Sequence, residues 1–308
     1  MKNKRVVSRI IREVSDGLLK SFVPQHLGFQ HIDRKTVLDH HQTSIASQLM
    51  TDRDDQVILV MDGTYLFIQK SSSNEFQRRS FSMHKHRNLI KPMITTATDG
   101  YILSVQGPYL ADGRNNDASI AKNIFIHNND DVLNWLHKND VIVVDHGFRD
   151  AVNTIVRSGF NVQMPDFLKG KKQLSSIEVN RSRCVSKVRW IIESVNGKIK
   201  QWRYFGQTIQ NSSIPYVGGY LKIICALINT YKKTSDIESD NQKQWARRML
   251  ELRDKQNELE KYLQEINESK NRPQWKKYDA QMVNFPILTE EDVQNICFGN
   301  YFLSSSYR

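Results

Sequence analysis

The chain has 308 residues, enough for one large or two ordinary domains, and 39% of them are hydrophobic. No apolar run approaches the ~18 residues that predict a membrane span, and the basic amino-terminal stretch lacks the apolar core of a secretory signal. The formal net charge of +11 favours a polyanionic partner, nucleic acid first.

Residues 1–50 are predicted to form an amino-terminal helical segment. Apolar residues recur at helical spacing over residues 5–24, which indicates an amphipathic helix that ends before Pro24. A second helix is predicted over Thr36–Met50, with His40 and His41 facing solvent because adjacent helical side chains point in different directions.

The stretch Gln56–Lys70 is a hydrophobic run with one carboxylate, Asp62, in its middle. The run before Asp62 predicts a strand that is buried on both faces, and Gly63 a break or a close backbone approach. Thr64–Ile68 is predicted to be a second strand. Asp62 is then either the turn residue of an Asp-Gly hairpin or a metal ligand held on a rigid element.

The polar segment after Lys70 is predicted to be a loop. Its basic residues alternate with hydroxyl and aromatic residues. Its basic residues are Arg78, Arg79, His84, Lys85, His86, Arg87 and Lys91. This mixture is typical of phosphate contacts, although a solvated basic loop explains it equally well. Strands are predicted over Pro92–Thr96 and Tyr101–Val105, joined by a hairpin at Asp99 and Gly100.

A second buried strand that ends in a carboxylate is predicted over Val141–Asp145, with Gly147 close behind it. Before it, Asp117 opens an apolar-periodic run, a position that an ordinary helix N-cap is one way to explain. A helix over Phe148–Ser158 and a strand over Phe160–Met164 complete this region. Two buried strands ending in Asp within a basic chain favour a functional site.

From Ser176 the pattern is helical for about two dozen residues. It places Arg189, Glu193, Asn196 and Lys200 on one face. Glu193 is explained either by a surface pair with Arg189 or by a carboxylate directed at a metal site.

Asp62, Asp145 and Glu193 together suit phosphodiester hydrolysis. That reaction needs an activated water and a stabilised leaving oxygen, which two divalent ions roughly 3.5–4 Å apart supply. Such hard cations take oxygen ligands, so carboxylates on rigid elements are the required residues. The sequence has no phosphate-binding GxxxxGK[ST] loop, no GxGxxG opening a helix and no zinc-ligand spacing. Nucleotide hydrolysis and zinc-dependent hydrolysis are therefore less favoured than metal-dependent phosphodiester cleavage.

At these residues the sequence resembles the DDE-superfamily nucleases of the PIF/Harbinger transposase type, over roughly residues 5–235. The motifs that carry the resemblance are Met61-Asp62-Gly63-Thr64, Ser82-x-x-Lys85, Thr98-Asp99-Gly100, Asn116-Asp117, Val144-Asp145-His146-Gly147-Phe148-Arg149 and Arg189-x-x-x-Glu193 with Lys200.

The resemblance implies an α/β fold, with an RNase H-like mixed sheet flanked by helices and with added amino- and carboxy-terminal helices. It implies Asp62, Asp145 and Glu193 as catalytic residues, Asp117 as a fourth metal-associated carboxylate, Mg²⁺ or Mn²⁺ as cofactor and double-stranded DNA as substrate. Phosphates are expected to contact Arg78, Arg79, Lys85, Arg87, Arg149, Arg189 and Lys200.

The sequence departs from the family at two places. His146 stands where the family usually has Arg, and the region before the core has room for little more than the last helix of a helix-turn-helix DNA reader. Target recognition is therefore expected to come from a separate Myb-like or other DNA-binding partner protein. An inactive descendant that binds DNA or protein is the alternative function, and an enzyme acting on RNA is a third. The expected location is the nucleus, with the cytoplasm as the alternative.

The predicted nuclease core covers residues 51–233, and a helical carboxy-terminal region covers residues 234–308. Apolar residues there form a heptad seam with one polar position: Trp245, Met249, Leu252, Gln256, Leu259, Leu263 and Ile266. Such a seam predicts either a helix folded back on the core or a coiled coil that forms a homodimer. Cys184, Cys225 and Cys297 are far apart and are expected to be reduced thiols.

Overall fold

The computed structural model describes residues 3–168, 170–235 and 240–255, together with the isolated positions 261, 265 and 289. Met1–Gln256 form one compact unit, and this unit is described below. Of the predicted heptad seam, Gln256, Leu259, Leu263 and Ile266 lie outside the described residues, as does Cys297.

The strands are β1 Ile58–Gly63, β2 Leu66–Phe67, β3 Phe81–Ser82, β4 Arg87–Thr96, β5 Ile102–Leu110, β6 Val141–Val143 and β7 Asn161–Gln163. The helices are α1 Asn3–Ser21, α2 Val23–His26, α3 Arg34–His40, α4 Ser44–Met50, α5 Asn74–Ser80, α6 Asp117–His127, α7 Val132–Trp135, α8 Val152–Arg157, α9 Ser176–Lys200, α10 Arg203–Gly206, α11 Ile214–Tyr231 and α12 Asp240–Asp254. A 3₁₀ turn over His146–Ala151 leads into α8. Among the described helices, none combines the length and the apolarity that crossing a membrane requires.

The sheet is mixed, with β1 in its centre. β1 pairs antiparallel with β4 on one side and parallel with β6 on the other, while β5 and β7 extend the two edges. The resulting order β5-β4-β1-β6-β7, with helices on both faces, confirms the expected α/β fold with an RNase H-like mixed sheet.

Two apolar layers explain why the strand sequences are uninterrupted hydrophobic runs. Ile58 and Val60 face a cluster that includes residues of α4, α9 and α11, whereas Leu59 and Met61 face a second cluster built around α6 and α8. Successive strand residues point to opposite faces, so a strand covered on both faces needs apolar residues throughout. Each fully buried side chain contributes roughly 1.5–3 kcal/mol.

The Asp-Gly hairpin that the sequence allowed at Asp62 and Gly63 is wrong. β1 and β2 both pair with β4, in one continuous register in which Gly63 lies opposite Met93 and Leu66 opposite Ile90. The chain therefore continues past Gly63 along the same partner strand instead of turning back.

The predicted helix over Thr36–Met50 is in fact two helices, α3 and α4. The residues between them are tied to the sheet: Gln42 accepts a hydrogen bond from the Ile58 amide, and the Thr43 amide donates to Thr98 Oγ1. The prediction that both histidines face solvent is right for His40, which is exposed, and wrong for His41. The His41 Nδ1 lies 2.8 Å from Oδ2 of the buried Asp99.

The predicted polar loop after Lys70 is also more ordered than its composition suggested. It contains α5, capped by the Ser73 side chain, and β3, and β4 begins at Arg87 rather than at Pro92. Pro92 lies where the β4–β5 register shifts, which is the kind of irregularity that tolerates a residue without an amide hydrogen. The hairpin at Asp99 and Gly100 is confirmed, with Gly100 at φ +94°.

Two further helices frame the core. α9 begins with a capping box in which the Ser175 and Glu178 side chains each bond the other residue's amide, and the helix buries an apolar face. α12 packs against α4 and α9 with Ala246 fully buried, so the described part of the seam folds back on the core. Cys184 and Cys225 are buried free thiols.

Candidate functional site

Asp62 and Asp145 lie next to each other because β1 and β6 are parallel and in register. Val60 is opposite Val143, and each aspartate follows two residues later. The carboxyl ends of parallel neighbours meet at one edge of a sheet, and the alternation of side chains turns both aspartates towards the face that α9 covers. The structure thus brings together two acids that are 83 residues apart in the sequence.

Asp117 joins them from the start of α6, and two glycines make its approach possible. A Cβ atom on Gly63 would lie 2.8 Å from Asp117 Oδ1, and one on Gly147 would lie 2.9 Å from Asp117 Oδ2 and 3.0 Å from Asp145 Oδ1. A side chain at Gly63 would displace Asp117, and one at Gly147 would displace both Asp117 and Asp145. The close backbone approach predicted at Gly63 is therefore confirmed.

The N-cap alternative for Asp117 is wrong. Asn116 is the N-cap, since its side chain accepts a hydrogen bond from the Ser119 amide at 2.8 Å. Asp117 Oδ1 instead lies 2.7 Å from Lys91 Nζ, an ion pair without hydrogen-bond alignment, and Lys91 also donates to the Asn115 carbonyl. Lys91 is predicted from the sequence to be among the basic residues of a polar loop and not inside the acid cluster. The missed clue is a lysine flanked by apolar residues within a strand.

Glu193 reaches the cluster through Arg189. Arg189 lies one turn earlier on α9, and its guanidinium contacts Glu193 Oε1 at 2.8 Å and Asp62 Oδ2 at 4.0 Å. The Glu193 side chain is 53% exposed. The predicted pair with Arg189 is therefore present, and the metal-directed role of Glu193 stays a prediction.

The electrostatics of the cluster are those of carboxylates crowded in a poorly solvated place. Burial first, and the charge of Asp145 second, raise the pKa of Asp62 to about 7; Asp117 adds to the rise and Arg189 opposes it. Burial and the charges of the same three acids raise the pKa of the Tyr65 hydroxyl as well. The site therefore has a deficit of positive charge.

A hard divalent cation fits this donor set, because carboxylate oxygens are the ligands that Mg²⁺ and Mn²⁺ take. In the described parts of the chain, no three His, Cys, Asp or Glu side chains are already arranged to coordinate an ion. Two of the acids have basic partners instead: Asp117 meets Lys91, and Glu193 meets Arg189.

Three of the predicted phosphate-binding residues border the acids. Arg189 contacts Asp62, and Lys200 is close enough that the charge of Asp62 acts on it. Burial lowers the pKa of Lys200, the charge of Asp62 raises it, and the charge of Lys85 lowers it further. Lys85 Nζ lies 5.3 Å from the centre of the Tyr65 ring. We call Lys85, Arg189 and Lys200 the cationic rim.

The other predicted contacts are not brought to the acids by any pairing seen in the described residues. Arg79 pairs with Asp112 and Arg149 with Asp150, each at 3.0 Å. Arg87 stacks on the Phe67 ring at 4.1 Å, and Arg78 is exposed in the last turn of α5. The exposed His146 packs its ring 4.4 Å from that of Phe167, beside Asp145.

Comparison with known proteins gives two matches. The model of a family described as DDE superfamily endonuclease matches residues 61–229, a span longer than half of the chain that contains all four acids. A solved structure, described as the cryo-EM structure of the piggyBac transposase synaptic complex with hairpin DNA, is similar at 13% identity and a TM-score of 0.38. That similarity covers 77% of this chain and 61% of the transposase chain. No curated protein matches the sequence significantly.

Proposed function

This chain belongs to the DDE superfamily endonuclease family, and we propose that it is a metal-dependent DNA endonuclease of the PIF/Harbinger transposase type. The observation that supports this most is the convergence of Asp62, Asp117 and Asp145 at one edge of the sheet, bordered by the cationic rim. Phosphodiester cleavage requires carboxylates that bind the metal ions and basic side chains that bind the phosphates.

Asp62, Asp145 and Glu193 are the proposed catalytic residues and metal ligands, with Asp117 as a fourth metal-associated carboxylate. Bound Mg²⁺ or Mn²⁺ would supply water activation and stabilisation of the leaving oxygen, in a two-metal arrangement. For its part, Asp62 has to be ionised in order to be a ligand. Glu193 pairs with Arg189 through Oε1, so a bound metal ion would compete with Arg189 for this carboxylate, and a released guanidinium would be free to contact a phosphate.

Double-stranded DNA is the proposed substrate, with the rim next to the scissile phosphate and Arg78, Arg79, Arg87 and Arg149 further out. Because each neutralised phosphate adds about 0.9 to the slope of log affinity against log salt, loss of one rim lysine should reduce that slope by about one. We further propose nuclear action, target recognition through a Myb-like or other DNA-binding partner protein, and a homodimer that cuts two DNA ends.

The test of the enzyme is plasmid nicking with and without Mn²⁺, comparing the wild type with Glu193→Gln. The matched control is Glu13→Gln, since Glu13 also pairs with an arginine four residues away but lies on α1. We expect nicking by the wild type and the control only with Mn²⁺, and DNA binding without nicking by Glu193→Gln. Unchanged nicking by Glu193→Gln would make the assignment of the catalytic residues wrong.

A DNA-binding descendant without catalysis is the second candidate. The observation that favours it is His146 beside Asp145, where the family usually has Arg. In that case the wild type would bind DNA and never cut it with either metal. Competition of cleavage by RNA against DNA separates the remaining alternative, an enzyme acting on RNA.

A further inference from the structure

Lys91 is a buried cation in the middle of a strand. It lies in β4 between Ile90 and Pro92, and its side chain is 10% exposed. Transfer of an ammonium group out of water is costly unless an anion meets it. Its neighbours are Asp117 Oδ1, at 2.7 Å, and the Asn115 carbonyl, at 3.1 Å. The lysine is therefore built into the acid cluster rather than into the surface.

The two oxygens of Asp117 face different neighbours. Oδ1 meets Lys91 and lies over Gly63, whereas Oδ2 lies over Gly147, on the side of Asp145 Oδ1. Lys91 thus fixes the carboxylate from the β4 side and leaves the oxygen on the Asp145 side directed at the other acids. A cation among the acids would approach that second oxygen, so Lys91 would not block it sterically.

We propose that Lys91 is the resident counter-ion of the acid cluster: it stabilises the metal-free fold through Asp117 and competes electrostatically with a divalent ion for that carboxylate. The competition rests on the proposed function; the stabilisation does not. Two cations that share one carboxylate weaken each other's binding, and linkage makes this effect reciprocal. Lys91 also holds Asp117 in one rotamer, which gives a small gain in metal affinity. Repulsion between the ammonium group and a divalent ion outweighs that gain.

The first experiment measures stability in EDTA for the wild type, Lys91→Met, Asp117→Asn and the double variant. Methionine keeps an unbranched chain and removes the charge. We expect Lys91→Met to lower Tm by about 5–10 °C, because it leaves the buried Oδ1 of Asp117 without its counter-ion. In the Asp117→Asn background the same substitution should lower Tm only slightly, because no carboxylate is left unpaired. An equal loss of Tm in both backgrounds, or no loss in either, would overturn the stabilising role.

The second experiment follows Mn²⁺ binding without DNA, as the rise of Tm with Mn²⁺ concentration. Lys91→Met should bind Mn²⁺ about fivefold or more tightly than the wild type, and Lys91→Arg, which keeps the charge, should resemble the wild type. Lys198→Met is the matched control, since this lysine of α9 is also partly buried but donates to the Lys233 carbonyl. Equal or weaker Mn²⁺ affinity in Lys91→Met would overturn the competition.

The two experiments separate this proposal from the proposed function. If no variant binds Mn²⁺, the competition and the metal-dependent nuclease both fail, whereas the measurements in EDTA still decide whether Lys91 stabilises the fold through Asp117. If the wild type binds Mn²⁺ and cleaves DNA but Lys91→Met binds no more tightly, only the role given to Lys91 fails.

Discussion

Asp62→Asn is expected to stabilise the metal-free protein while it abolishes cleavage. The substitution keeps the side-chain shape and removes the charge that the cluster disfavours. Burial and Asp145 raise the pKa of Asp62 from 3.8 to about 7. At about 1.4 kcal/mol for each tenfold change in proton affinity, this rise corresponds to a stabilisation of up to about 4 kcal/mol at pH 8.

The pH dependence has a definite sign. Because the pKa of Asp62 is higher in the folded than in the unfolded chain, the folded protein holds an extra proton between pH 3.8 and about 7. The contribution of Asp62 to the free energy of unfolding therefore falls as pH rises through this window and is constant above it. The free energy of unfolding of Asp62→Asn, relative to that of the wild type, should increase by about 2–3 kcal/mol from pH 5 to pH 8.

Urea unfolding in EDTA at pH 5 and pH 8 measures this difference, and plasmid nicking with Mn²⁺ measures the lost activity. Asp55→Asn is the control, because Arg53 holds the pKa of the exposed Asp55 below its usual value, so its replacement should give no growing advantage. If Asp62→Asn were less stable than the wild type at pH 8, or showed the same pH dependence, the electrostatic account of the cluster would be refuted.

Two further substitutions test the framework of the site. Gly147→Ala places a methyl group 2.9 Å from Asp117 Oδ2 and should lower stability by about 1–3 kcal/mol in thermal unfolding; an unchanged Tm would contradict the crowding argument. Arg34→Ala leaves the fully buried Asp140 unpaired and should cost about 3–5 kcal/mol in urea unfolding. Arg53→Ala is its control, because Arg53 and Asp55 are both exposed and their ion pair is screened by water, so its loss should be far smaller than that of Arg34→Ala. Equal losses for the two arginines would contradict the importance of burial.

Several errors of the sequence interpretation share one cause, which is long-range contact. Residues 36–50 have helical periodicity throughout, yet Gln42 and Thr43 bond to Ile58 and Thr98 and so break the helix. Asp62 and Gly63 form a typical hairpin pair, yet β4 offers a continuous partner on which the chain stays extended. In both places tertiary hydrogen bonds outweighed a local preference.

The sequence by itself determined the two buried strands and the long helix that carry or precede Asp62, Asp145 and Glu193. Uninterrupted apolar runs predicted the buried strands that precede Asp62 and Asp145, and helical spacing placed Glu193 and Arg189 on one face, because periodicity records which side of an element is covered.

Only the tertiary structure decided how these side chains meet. The parallel register of β1 and β6 sets Asp62 beside Asp145, the lack of a side chain at Gly147 admits Asp117, and β4 delivers Lys91 to that carboxylate. The physical reason is that distances between side chains on different elements follow from strand pairing and packing, which no local spacing in the sequence encodes.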